Sequence, residues 1–273
     1  MPDDTDPWLL DALSGEMVTE SIFRQQLQWL QAHHRMVTLD ELLRDATPGC
    51  IAITFDDGFA DNLLRAAPIL SEMQIPATVF VITSRLGDAQ GMQHHRAARW
   101  LATDRAWQRD PSLRPKQVLA KLLAELQSDH DLRARVLTAT HPEDRFLGYE
   151  ELAQLTAHNI DVQSHTISHR PLSALSNDEL DNELITSQAT LTRLTGRKID
   201  KIAYPLGRRE HIDTRTAKAA ARVYCYGFAA QPGFIEPTKR QDVHLLPRIG
   251  TRNSLADLRK RLRRRYPEVR TSA

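Results

Sequence analysis

An α/β fold built on a parallel sheet is predicted from three observations. Short strand-like runs recur at 51–55, 75–83, 160–164, 199–204, 223–229 and 244–249. Most are separated by segments whose apolar residues fall three or four apart, the spacing of a helix with one buried face. The early runs, Ile51-Ala-Ile-Thr-Phe55 and Ile75-Pro-Ala-Thr-Val-Phe-Val-Ile-Thr83, are near-continuously apolar, as in strands covered on both faces. This repetition fits a barrel or a doubly wound sheet, and both keep their sites in the loops at strand ends.

The elements follow in order. Residues 19–45 read as a helix and its exit, with Thr19 as the cap and Ile22, Phe23, Leu27 and Leu30 along one stripe. A second capped helix start follows at Val37-Thr-Leu-Asp-Glu-Leu-Leu43. After the 51–55 strand, Asp61 to Met73 forms a helix that turns Leu63, Leu64, Ala67 and Leu70 inward. Residues 84–147 break the rhythm. They are rich in Arg, Gln, His and Asp, with Trp100, Trp107 and an amphipathic run from Lys116 to Leu126. A helical insertion forming a wall or lid over one end of the sheet is expected there, with His94 and His95 solvated. Alternation resumes with a helix at 149–157, the 160–164 strand, and a helix from Asp178 to Leu194 stopped by Gly196. A 199–204 strand, a helix at 214–221 and strands at 223–229 and 244–249 follow, and then a basic helix from Ser254 to Arg265.

Composition narrows the class. A chain of 273 residues with 41% hydrophobic and 26% charged residues can bury a full core, and one domain over 1–273 is expected. A net charge of +1 supplies no field to attract nucleic acid, and no apolar run approaches a membrane span. The acidic start Met1-Pro-Asp-Asp-Thr-Asp-Pro7 lacks the basic and apolar regions of a secretory signal, so a cytoplasmic location is expected. Cys50 and Cys225 are expected as buried free thiols, with a disulfide between them as the alternative.

Two features carry chemistry. In Thr54-Phe-Asp-Asp-Gly58 a strand runs straight into adjacent carboxylates and a sharp turn. Two buried acids repel each other unless a cation holds them ionised, so a metal on one carboxylate would leave the other free as a base. The competing expectation is a solvated loop that caps the next helix. In Ser164-His-Thr-Ile-Ser-His169 two imidazoles stand four apart, which on one helical turn would let both ligate one ion. Two His and one carboxylate leave open positions for water and substrate, the catalytic rather than the structural type of site.

Together these motifs resemble the NodB-homology polysaccharide deacetylases, carbohydrate esterase family four, and in particular their exopolysaccharide branch. The likeness runs from about Val18 to Thr251 and includes Ile75-Pro-Ala-Thr-Val-Phe-Val81, Pro171-Leu-Ser-Ala-Leu175, Leu194-Thr-Gly196 and Ala203-Tyr-Pro-Leu-Gly207. It implies a distorted (β/α)7-type barrel, here with no regular first strand recognisable in residues 1–18. It also implies a divalent metal, zinc in the first place, and removal of acetyl groups from N-acetylated sugars of a polysaccharide or glycoconjugate. O-acetyl ester cleavage and a catalytically silent, glycan-binding relative are the alternatives.

Carried over by motif, Asp57, His165 and His169 would hold the metal and Asp56 would be the general base. The segment Tyr204-Pro205-Leu206 would face the substrate, with a backbone N–H near Pro205 and Leu206 holding the oxyanion. Where relatives carry an arginine that orients the base, this chain has Ala203, and Arg248 is the candidate replacement. The late general-acid histidine has only His244 as a candidate. In the C-terminal helix, Leu255, Leu258 and Leu262 make a narrow stripe beside the basic run Arg259–Arg265. A docked helix with a solvated basic face is the default, and weak contact with an anionic surface the sharper expectation.

Overall fold

The computed structural model describes residues 1–45, 47–103, 112–236 and 241–263. Its chain begins with a short helix, α1 (Pro7–Ala12), and a longer one, α2 (Glu20–His33). A two-residue strand β1 (Arg35–Met36) and helix α3 (Leu39–Arg44) follow. In α3 the Thr38 side chain accepts from the Glu41 N–H while the Glu41 carboxylate accepts from the Thr38 N–H, a reciprocal cap that fixes where the helix begins. Thr19 precedes α2 without capping it through its side chain, which instead bonds to Asn253.

The early apolar run is two short strands, β2 (Cys50–Ile51) and β3 (Ile53–Phe55). β2 pairs in parallel with β1, while β3 opens a five-stranded parallel sheet. The helix expected after it starts as a widened turn at Asn62–Ala66 and continues as α4 (Ala67–Glu72). Leu63, Ala67 and Leu70 are buried as expected, but the widened turn leaves Leu64 45% exposed. Strand β4 (Ala77–Val81) is buried throughout, matching its unbroken apolar text.

Helices α5 (Gln93–Thr103), α6 (Pro115–Glu125) and α7 (His130–Val136) make up the insertion; Trp107 lies outside the described residues. They do not form a simple polar wall. Ala97, Ala98, Leu101, Leu119, Leu122 and Val136 build a second hydrophobic core with Leu9, Leu13 and Met17 from the beginning of the chain. The first eighteen residues therefore pack against the insertion and supply no strand to the five-stranded sheet, and β1 pairs only with β2 in a separate small sheet.

The βα alternation then continues through α8 (Glu151–Ala157), β5 (Ile160–Ser164), α9 (Asn177–Thr195), β6 (Lys201–Ala203), α10 (Thr214–Ala220) and β7 (Tyr226–Phe228). Helix α9 stops at Gly196, whose φ of 65° lies in the left-handed region. The large sheet runs in the order β3-β4-β5-β6-β7, so all its strands point the same way and wrap into a half-barrel. The segment expected as a 244–249 strand pairs with Phe228 only at Leu246. Helix α11 (Leu255–Arg263) docks Leu258 and Leu262 beside Leu30 of α2, and Arg259 stacks over Trp29. Arg264 and Arg265 lie outside the described residues.

Both cysteines are free, with Cys50 half-buried and Cys225 exposed rather than buried. Among the described residues no helix is long and apolar enough to cross a membrane.

Candidate active site

Parallel strands deliver their carboxyl ends to one rim, and the chemical residues gather there. Asp56 and Asp57 leave β3, His165 leaves β5, and Arg248 follows the Leu246 bridge beside β7. The turn at Asp57 is held in an unusual backbone state, with φ of 71° at Asp57 and 82° at Gly58. An aspartate tolerates the left-handed region better than a bulky residue, though still at a cost. The Asp57 carbonyl accepts from the Ile82 N–H at 3.2 Å and the Gly58 carbonyl from the Leu147 N–H at 2.9 Å, so neighbouring elements hold the turn in place.

His165 and His169 do not meet on a helical turn, as their spacing suggested. They are brought together by a loop in which Thr166 and His169 have φ of 69° and 58°. Glu183, buried on α9, fastens this loop: its carboxylate accepts from the backbone N–H groups of Ile167 at 2.8 Å and Ser168 at 3.0 Å, and from the Ser168 hydroxyl. Behind the loop a buried network joins Ser164, Ser187 and Tyr224, and burial pushes the Tyr224 phenol up to about 12.

The three residues converge. Nε2 of His165 and Nε2 of His169 each lie 3.4 Å from Asp57 Oδ1. His165 Nδ1 is 2.7 Å from the Ala203 carbonyl, which can only accept, so Nδ1 carries a proton. In the neutral form of this ring, the form a metal would bind, Nε2 presents its lone pair on the side of the Asp57 carboxylate. Burial pushes the His165 pKa down, but Asp57 and Asp56 together hold it above its ordinary value. Burial and the neighbouring His165 push His169 down.

This donor set fits a divalent cation on two counts. Asp57 Oδ1 is buried and has no hydrogen-bond partner among the described residues. Its 3.4 Å separations are too long for good hydrogen bonds, yet donors at about 2.0–2.1 Å from a tetrahedral zinc lie about 3.3 Å apart.

Asp56 is held differently. Arg248 grips it with two parallel bonds of 2.7 Å, Nη1 to Oδ1 and Nη2 to Oδ2, while the guanidinium lies 5.6 Å from the centre of the Phe80 ring. Burial pushes the Asp56 carboxyl up, but Arg248 outweighs it and holds the group at about 2. The neighbouring acids are thus separated by environment, one paired with a guanidinium and one with two imidazoles. Ala203 is fully buried with Phe80, Phe228 and Leu246, and the guanidinium reaches Asp56 from a different strand end.

Other predicted residues lie elsewhere. The His244 ring bonds through Nε2 to the Tyr224 carbonyl, just before β7 begins, at the opposite end of the strands from Asp57. Tyr204 is also turned away. Its buried hydroxyl donates to the His244 carbonyl at 2.8 Å, and burial pushes its pKa up. Tyr204→Phe is therefore expected to lower stability by about 1–2 kcal/mol in a denaturant melt, with KM unaltered. Pro205 is buried, and Leu206 projects at 47% exposure with φ of 60°. The Leu206 N–H has no acceptor among the described residues, and Gly207 behind it fits only without a Cβ, which would lie 2.4 Å from the Ala230 nitrogen.

Glu183 was not anticipated, although a signal was present. It falls among Leu180, Leu184, Ser187 and Leu191 on the buried stripe of α9, and an acid at such a position must have hydrogen-bond partners.

A polysaccharide deacetylase family model matches residues 44–225. The Bacillus subtilis (strain 168) protein YxkH, whose name places it among the polysaccharide deacetylases, is 24% identical over 240 residues, covering 85% of this chain and 64% of that protein. The poly-β-1,6-N-acetyl-D-glucosamine N-deacetylase of Staphylococcus epidermidis is 37% identical over 76 residues, 26% of each chain. The chain thus spans less than two thirds of the length of these relatives. Among solved structures, Streptococcus pyogenes deacetylase PplD in complex with acetate superposes with a TM-score of 0.60 at 21% identity, covering 89% of this chain and 86% of that one. IcaB from Ammonifex degensii superposes at 0.61 with 19% identity, covering 88% and 87%. At these identities the structural likeness shows the fold.

Proposed function

The chain belongs to the polysaccharide deacetylase family, and from that premise we propose that it removes N-acetyl groups from an amino-sugar polymer with a divalent ion, zinc in the first place. The observation that carries this reading is the convergence of Asp57, His165 and His169, with the proton-bearing Nδ1 of His165 turned to the Ala203 carbonyl. Those three side chains would hold the ion. When bound, it supplies a Lewis acid that polarises the acetyl carbonyl and makes water acidic enough to attack near neutral pH.

The chain's own groups do the rest. Asp56 accepts the proton of the attacking water, since each carboxylate oxygen keeps a lone pair free of its bond to Arg248, and returns it to the sugar nitrogen as the C–N bond breaks to give the amine and acetate. Arg248 positions that carboxylate and keeps it ionised. As the carbonyl carbon becomes tetrahedral, the free Leu206 N–H donates to the oxygen that gains charge. The Ala230 N–H donates to the Gly207 carbonyl at 2.8 Å and fixes the backbone just after Leu206.

The staphylococcal relatives suggest a polymer of β-1,6-linked N-acetylglucosamine as the first substrate class. Acetate release from such oligomers, beside matched O-acetylated glycans, tests the reading. Turnover of the N-acetylated oligomers is expected. Turnover confined to esters would reassign the chain as an O-acetyl esterase, and loading with zinc without release from either would leave a glycan-binding protein. Arg248 speaks against that last outcome, because the guanidinium missing at position 203 reaches Asp56 from elsewhere.

A further inference from the structure

A second group of metal-ligand side chains stands where the insertion meets the barrel. Glu16 lies in the turn after α1, and His94 and His95 open α5. Glu16 Oε2 lies 2.8 Å from His94 Nε2 and 3.3 Å from His95 Nε2. Donor atoms from all three residues fall within 4.8 Å of one another. We propose that Glu16, His94 and His95 form a second divalent-metal site, of the zinc class, that ties the turn after α1 to the start of the helical insertion.

Three observations argue against a solvated ion pair. Successive residues of a helix point about 100° apart, so adjacent histidines ordinarily diverge. Here both rings turn their Nε2 atoms to the same carboxylate oxygen, with ring centroids 4.5 Å apart. His95, expected at the surface, is only 5% exposed. Its ring is stacked 5.0 Å from Phe59, which stacks in turn 4.7 Å from Phe146. Burying and immobilising a histidine this way suits a ligand more than a surface charge.

Two imidazoles and one carboxylate select zinc-like ions over calcium or magnesium, which prefer all-oxygen shells. Glu16 is 51% exposed on its side chain and His94 37%, so the site keeps room for water and is reachable from solvent. Its place in the fold explains what it would do. The ligands join the turn after α1 to α5, and Phe59 connects His95 to the Asp57-Gly58 turn only two residues from Asp57. An ion here stabilises the packing of the beginning of the chain against α5 within the second core.

The test counts equivalents. Metal-stripped full-length chain is titrated with zinc chloride, and bound metal is measured by atomic emission after desalting. Two equivalents are expected for the wild type and one each for Glu16→Gln and His94→Ala, with zinc binding at the altered site weakened at least about tenfold. Both positions are partly exposed, so the variants should keep the wild-type circular dichroism spectrum. Asp57→Ala should keep one equivalent, and zinc should still raise its melting temperature but not that of Asp57→Ala combined with His94→Ala. A single equivalent in the wild type that disappears in Asp57→Ala would overturn the second site and leave the first standing. Two equivalents surviving in both Glu16→Gln and His94→Ala would also overturn it.

Discussion

Asp56→Asn is expected to lower kcat about a hundred- to ten-thousandfold while zinc uptake stays unchanged. Asparagine keeps the size of the side chain and an oxygen that can still accept from Arg248, so the fold around β3 should survive. It removes the charge that makes Arg248 grip with two bonds and the basic lone pair that takes a proton from water. Asp57, His165 and His169 are untouched, so metal content separates loss of the base from loss of the ion. Steady-state acetate release and atomic emission on one preparation make the measurement. Near-wild-type turnover by Asp56→Asn would remove Asp56 from the chemistry.

Glu183→Ala should have the next largest effect, although Glu183 touches neither the carboxylates nor the imidazole rings of the site. Its removal strips acceptors from the N–H groups of Ile167 and Ser168 and from the Ser168 hydroxyl, all within the loop between the histidines. Each buried donor left unpaired costs about 1–3 kcal/mol. The loop also loses the tie that keeps Thr166 and His169 in left-handed conformations. Zinc affinity is expected to fall about 10- to 100-fold, with a lower melting temperature. Glu183→Gln retains one acceptor oxygen and should fall between, and the two variants are compared by zinc titration and thermal melts. Unaltered affinity in Glu183→Ala would show that the loop holds its shape without this carboxylate.

Much of the sheet was legible because buried parallel strands leave unbroken apolar runs, as in Ala77–Val81. Asp56, Asp57, His165 and His169 stood out for a related reason, being charged or titratable at the ends of such runs. Legibility failed where no period exists to read. Arg35–Met36 is too short to show alternation, and the chain near Leu246 makes one bridge rather than a strand. Spacing alone also misassigned geometry. The four-residue gap between the histidines looked helical, whereas positive φ values in the loop bring them together. Tyr204 and His244 were singled out by sequence resemblance, but a resemblance in text does not fix which way a side chain faces. Tyr204 accordingly bonds to the His244 carbonyl in the interior. Polar content made His94 and His95 look solvated, since Phe59, which stacks on His95, lies far from it in sequence.

Zinc titration of the metal-stripped wild type beside His165→Ala bears most directly on the paired carboxylate and imidazole chemistry. The wild type should regain acetate release in step with filling of the Asp57 centre, and about 2.7 kcal/mol of added stability is expected at a hundredfold excess of free zinc over Kd. His165→Ala should take up one equivalent fewer and release no acetate at any zinc concentration. Full zinc uptake by His165→Ala, or undiminished acetate release from the stripped wild type, would contradict a metal centre formed by Asp57, His165 and His169.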